Sequence, residues 1–425
     1  MSTDTLNNTT DWTIVCHLDY GDQRKVSIVK QRNNEISTTR LESGPALGGD
    51  INHCHKFLGC NANDQAIVMD PATKKISATA TPPADVGFAY AYRDPSSTRV
   101  WFVNDGDKNG NDGLMCGGVG SPVSIISKND DSAEHLDSLC VGRGHHMTAF
   151  TQAVDGATNM PSRAFSSNLQ DGTISVIGND PSDAVSFLKI IATINLADTR
   201  FEKGDVAELP NNAFPHGMEF SPLTGKVYNL NNGYGTIAVI DPLTHEVENS
   251  IEMKVSSNLL LSRCGRFLIG KGADRKGNAE HVMGRLSVVD AVKGEMSTIL
   301  DLQDMYPSVY RFNAAGDKLY VTLAATGKGA QADNLITDVT QVYDTTNLPE
   351  LKLIKEIKHA TTSAGRRPIA IMENGPYIFV PNPTHGTLTI IDGDNDEVVN
   401  TVEIGDGEMK EFSFSFWNDR SVYGA

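Results

Sequence analysis

The sequence predicts an all-β fold, a single β-propeller of eight four-stranded blades, with seven as the alternative count. Three observations predict it. One phrase of four short strands recurs along the chain. Gly, Pro, Asn and Asp punctuate it at short intervals, with 38 glycines and 18 prolines in 425 residues. The two ends each supply part of a blade and complete one another.

The repeat is clearest in two places. Residues 215–251 read PHGMEFSPLTGKVYNLNNGYGTIAVIDPLTHEVENSI, and residues 367–404 read RPIAIMENGPYIFVPNPTHGTLTIIDGDNDEVVNTVEI. Each is a short apolar strand, a turn, a strand ending in Asn, a Gly-Thr turn, a strand ending in Ile-Asp, and a Val-rich strand. A repeat of roughly 40–50 residues built from four strands is the unit of a propeller. Weaker copies of its third and fourth strands are QAIVMDPATKKISATA, SPVSIISKNDDSAEHLDSL, GTISVIGNDPSDAVSFLKIIATI, GRLSVVDAVKGEMSTIL and TQVYDTTNLPELKLIKEI. The segment DWTIVCHLDYGDQRKVSIVKQRNNEISTTRL offers three strands without a first, and EFSFSFWND is an unclaimed strand near the other end. Sharing one blade between them closes the ring and removes the free sheet edges. Residues 1–10 are polar and expected to be flexible, and residues 11–425 form the single domain.

Composition narrows the function. The formal charge is −17, which argues against nucleic acid and against an anionic membrane surface as partners. No apolar run is long enough to span a bilayer. MSTDTLNNTTDW lacks the basic and apolar regions of a signal peptide, so a cytoplasmic location is expected, or a periplasmic one if the chain is a processed form. The six cysteines make no CxxC and are expected to be reduced thiols. Covalent c-type haem is excluded, since there is no CxxCH.

Unusual residues collect on one face. In a blade, the connection into the first strand and the loop between second and third strands share a face. His145 and His146 follow Gly-Arg-Gly at the start of one first strand, with Arg143 beside them; His216, Tyr306, Arg366 and Arg367 precede or open others. The long second-to-third loops, roughly 106–120, 270–283 and 325–339, and the segment 199–213 feed the same rim. Strand neighbours point to opposite faces, so two adjacent histidines converge only if the backbone breaks that alternation, a freedom glycine supplies. Arg143, Arg366, Arg367 and Tyr306 suit an anion, because guanidinium grips carboxylates as a fork. The plainer reading has these side chains bonding the next blade's backbone.

Asp105, Asp107, Asn109 and Gly110 match the first half of a calcium loop, where oxygens at alternate positions converge on a hard cation. Position nine is Gly113 and position twelve Cys116, so Asp112 would have to replace the closing carboxylate. The competing reading is a solvated hairpin. His53 and His55 of NHCHKFLGC would share a side of a second strand, and are read as core histidines. No GxSxG elbow or phosphate-cradling loop is present.

The PHGMEFSP…GKVYNLNNGYGTIAVID blade resembles the YVTN-type repeat of bacterial β-propellers. That superfamily is similar to the haem d1 domain of cytochrome cd1 nitrite reductase and to the copper-binding propeller of nitrous oxide reductase. In the latter an adjacent histidine pair at the start of a blade ligates copper, and His145 and His146 match it. The resemblance thus implies copper or zinc at His145 and His146, with His216 as a third ligand. The further histidines of that copper cluster and its cupredoxin domain have no counterpart here, so that activity is not expected. Three readings stand: a metal- or cofactor-binding propeller of redox or carrier type; a metal-independent or calcium-supported hydrolase or lyase of lactonase type; and a scaffold docking a protein partner on the loop-rich face. Whether the chain is an enzyme stays open at this point.

Overall fold

The computed structural model describes residues 12–20, 24–41, 47–51, 57–60, 66–70, 75–80, 90–96, 98–103, 121–128, 133–152, 160–359, 368–372, 375–408, 411–417 and 422–423. Among them the strands form eight antiparallel sheets, seven of four strands and one of five. The expected count of eight blades holds.

In chain order, blade 1 begins with Leu47–Ile51, blade 2 with Tyr90–Arg93, blade 3 with His145–Thr151 and blade 4 with Pro215–Ser221. Blade 5 begins with Asn258–Leu261, blade 6 with Pro307–Phe312 and blade 7 with Ala370–Ile371. Blade 8 joins the two ends. Trp12–Asp19 pairs antiparallel with Glu411–Trp417, so three N-terminal strands receive their inner neighbour from the C-terminal segment.

Burial along a blade explains its composition. Third strands lie between neighbouring sheets and are buried on both faces, as in Thr173–Gly178 and Thr236–Ile240, and both faces are therefore filled with Ile, Val, Ala and small polar residues. Fourth strands such as Val247–Glu252 alternate poorly and are mostly exposed. Among the described residues, each space from blade 2 round to blade 8 holds its own core. Trp101 and Val123 of blade 2 meet Ala164 and Ile177 of blade 3. Phe165 of blade 3 joins a core with Met218 and Phe220 of blade 4. Leu230 of blade 4 meets Leu268 of blade 5. The succession continues through Ile269 and Leu319, then Tyr320 and Ile378, to Phe379 against Trp12 of blade 8.

First strands carry a recurring irregularity at their start. In blade 3, His145 opposes Asn168 and Thr148 opposes Ser166, three steps on one strand against two on the other. Register shifts also occur between Leu47 and Gly49, Pro215 and Gly217, and Pro307 and Tyr310. These are β-bulges, which re-aim side chains and interrupt alternation.

Two expectations need correction. Cys140 is disulfide-bonded, so the thiols are not all reduced. The second-to-third loop of blade 5 is shorter than 270–283, because the paired strands Phe267–Asp274 and Met283–Asp290 run into it. Among the described residues the α-helix is the short Ala330–Asn334, and no helix is long and apolar enough to cross a membrane.

Candidate functional site at the loop-rich mouth

The two kinds of loop expected to share a face are bonded to each other. The connection from blade 3 to blade 4 lies against the second-to-third turns of both blades. Asn211 Nδ2 donates to the Gly172 carbonyl at 2.9 Å. A Cβ at Gly172 would lie 1.8 Å from Asn211 Oδ1, and Gly172 also has φ +70°, so only glycine fits this approach. The Tyr234 hydroxyl donates to the Glu202 carboxylate, whose other contacts are the Asn212 N–H and side-chain amide. Phe201 stacks on Tyr234 with centroids 4.9 Å apart. Burial raises the Tyr234 hydroxyl well above the usual phenol range, so it stays a donor. The rim is therefore a built surface, not a set of independent loops.

His145 opens the first strand of blade 3 as expected, and the bulge spans the His145–Thr148 stretch that holds both histidines. The preceding Gly144 has φ +71°. His216 occupies the corresponding bulge in blade 4, the next first strand around the ring, and is half-buried. Arg143 is already engaged: its Nε lies 2.7 Å from Asp171 Oδ1, and its backbone N–H donates to Asp171 Oδ2 at 2.8 Å. Its charge is met within the fold. Tyr306 lies just before the first strand of blade 6, half-buried, with the Arg275 guanidinium 5.6 Å from its ring centre, a cation–π arrangement. Arg366 and Arg367, the calcium-loop candidates Asp105, Asp107, Asn109 and Asp112, and His53 and His55 lie outside the described residues. Among the described residues no three His, Cys, Asp or Glu side chains gather as a metal-binding group.

One pair escaped the sequence reading. His281, in the second-to-third loop of blade 5, sets Nδ1 2.9 and 3.1 Å from the two carboxylate oxygens of Asp304. Asp304 sits in the connection leading to Tyr306. Its φ is +57°, its N–H donates to the Val282 carbonyl and its own carbonyl accepts from Ile336. Gln331, itself buried, donates through Nε2 to the carbonyls of Asn278 at 2.6 Å and Arg275 at 3.1 Å. The loop was marked by its length. The pairing was invisible because the partners come from different loops.

Among the described residues, the opposite face includes shallow depressions of about 500 and 360 Å³. In the larger, Lys226 is taken by Asp241 and Glu248 at 2.7 and 2.6 Å. Neither contains a histidine.

No family model and no curated protein matches the chain. Solved structures do. The dihydro-heme d1 dehydrogenase NirN is similar with a TM-score of 0.55 at 14% identity, over 87% of this chain and 67% of that one. The likeness is one of fold. A 6-phosphogluconolactonase described as putative, from Bacteroides fragilis, gives 0.54 at 12% identity, over 97% and 99% of the two chains. The periplasmic gluconolactonase PpgL of Pseudomonas aeruginosa gives 0.52 at 12%, over 95% and 99%. The β-propeller is thus shared across the whole length, at identities that carry no activity with them.

Proposed function

We propose that the loop-rich mouth binds and hydrolyses a small, oxygen-rich molecule of the lactone class. The observation that carries this reading is the joining of the rim: loops from blades 5 and 6, pinned by Gln331, hold Arg275, Tyr306 and His281 on one stretch of the mouth. A cation, a phenol and an imidazole on a rigid rim suit a polyhydroxylated acid or its ring ester. Two full-length structural neighbours named as lactonases add support from fold analogy. Arg366 and Arg367, with Tyr306 and His216, complete the anion-binding set of this proposal. Calorimetric titration with gluconate and glucono-δ-lactone tests it. Binding that weakens in an Arg275→Ala/Tyr306→Phe variant is expected; absence of heat for both compounds would overturn it.

A second reading, a transition-metal site of copper or zinc at His145, His146 and His216, is favoured by the paired bulges that interrupt alternation at those positions. Elemental analysis of protein purified without chelator, beside a His145→Ala/His146→Ala variant, decides it. Copper or zinc lost in the variant supports the site. Calcium retained in both would instead point to Asp105, Asp107, Asn109 and Asp112. The Cys140 disulfide favours an oxidising compartment over the cytoplasm for this chain. A protein partner on the same face is the reading left if neither small molecules nor metal bind.

A further inference from the structure

We infer that His281 is the general base of this mouth and that Asp304 is its positioning residue. The inference rests on the hydrolase reading and names the machinery for it. Both oxygens of Asp304 face His281 Nδ1, at 2.9 and 3.1 Å, which fixes the ring's orientation and leaves Nε2 as the nitrogen available for chemistry. This differs from a loose surface ion pair, whose partners are free to part. Asp304 is tied from both sides by backbone hydrogen bonds to Val282 and Ile336, and Gln303 Nε2 adds a contact to Oδ2 at 3.3 Å. His281 is followed by Val282, fully buried, so its own backbone is anchored. Asp304 holds a left-handed conformation, which Asp tolerates better than most residues and which such tethering maintains. The His281 side chain keeps 36% exposure, against 16% for Asp304, so the base is reachable while its partner is covered.

The step balances with water as the only co-reactant. His281 Nε2 takes a proton from a water molecule as its oxygen bonds to the lactone carbonyl carbon. The tetrahedral oxyanion collapses and the ring C–O bond breaks. The departing ring oxygen takes the proton back from Nε2. The product is the open hydroxy acid, and His281 is regenerated. Asp304 stabilises the transient imidazolium without itself gaining the proton. Arg275, on the same loop, supplies a cation for the oxyanion or for a substrate anion.

The test is glucono-δ-lactone hydrolysis followed by proton release, against the buffer rate, across a pH series. Wild type should accelerate ring opening, with a rate that rises along a basic limb of the pH profile. His281→Gln should lose about 10²–10⁴-fold in kcat with KM within a few-fold, and the basic limb should vanish. Asp304→Asn should lower kcat and displace that limb, a change that a merely structural residue would not produce. Thermal melts of both variants confirm folding; should His281→Gln fail to fold, the near-isosteric Asp304→Asn carries the test. Hydrolysis undiminished in both variants overturns the His281–Asp304 assignment and leaves the lactonase reading intact. Wild type that binds gluconate without accelerating ring opening overturns hydrolysis and keeps the binding site. Wild type that does neither overturns both.

Discussion

Arg99 of blade 2 bonds Asp94 Oδ2 through Nε at 3.2 Å and Nη2 at 3.0 Å, and the same Nη2 reaches Asn179 Oδ1 of blade 3 at 3.0 Å. Asn179 returns a hydrogen bond to Asp94 Oδ2 at 2.7 Å. All three are buried, with exposures of 6%, 1% and 1% for Arg99, Asp94 and Asn179. The cluster is a polar bolt between blades, and every charge in it is matched.

Removing one member should therefore cost more than a surface pair would. Arg99→Ala leaves a buried carboxylate without its cation and should destabilise by about 3–5 kcal/mol. The double variant Asp94→Leu/Arg99→Met should recover part of that loss, since the desolvation penalty disappears with the charges. Urea unfolding midpoints measure both. A single variant as stable as wild type would show that the bolt contributes nothing.

Ring closure gives a second expectation. Trp12 is 1% exposed and meets Phe379 of blade 7 edge-on, with centroids 4.8 Å apart. The Ser27 hydroxyl of blade 8 also donates to the Ile404 carbonyl at the end of blade 7. Trp12→Ala should cost about 3–5 kcal/mol. Deleting residues 409–425 should do worse, because it removes the inner strand of blade 8 and exposes the edge of Trp12–Asp19. Loss of the cooperative unfolding transition, or aggregation in sedimentation, is the expected sign. A truncated chain that melts like the full one would contradict closure by the two ends.

Glu219, on the first strand of blade 4, predicts a pH dependence. Burial pushes its carboxyl up to about 7, against opposing help from the Leu261 N–H and the Arg311 guanidinium. An acid whose folded-state value exceeds its unfolded value, about 4.3, binds its proton more tightly in the native state. Its contribution to stability is fully present below the unfolded value, falls as pH rises to about 7, and is flat above. Glu219→Gln, which mimics the protonated group, should flatten that part of the curve. Urea midpoints at mildly acidic and mildly basic pH test it, and an unchanged difference between them in the variant would refute the assignment.

The disulfide at Cys140 is checked by thiol titration of the denatured protein without reductant. Fewer reactive thiols than the six cysteines are expected, with Cys16 and Cys264 among those that react. In the native protein Cys16 should be silent, because burial holds its thiol far above the usual range, whereas exposed Cys264 should label readily. Six reactive thiols in unreduced, denatured protein would contradict the bond.

Much of the fold was legible because its determinants are local. Strand alternation, Gly-Thr and Asn-Gly turns and the forty-odd-residue spacing are written in consecutive residues, so the eight blades and the shared closing blade could be read directly. The loop-rich face followed from blade geometry. The roles of individual residues did not. The partner of Arg143, Asp171, stands 28 residues on and in a different turn. Nothing in GNAEHVMG marks His281.

Architecture follows from local pattern: repeating strands with apolar middle strands can bury both faces only by stacking blade on blade, and complementary ends close the ring. Which side chains meet follows from the packing of one blade on the next. Asp304 reaches His281 across 23 residues, and Arg99 reaches Asn179 across 80, because neighbouring blades bring their loops and edges together. Such pairings depend on bulges, left-handed residues and inter-blade packing, which act between segments and leave no periodic trace along either one.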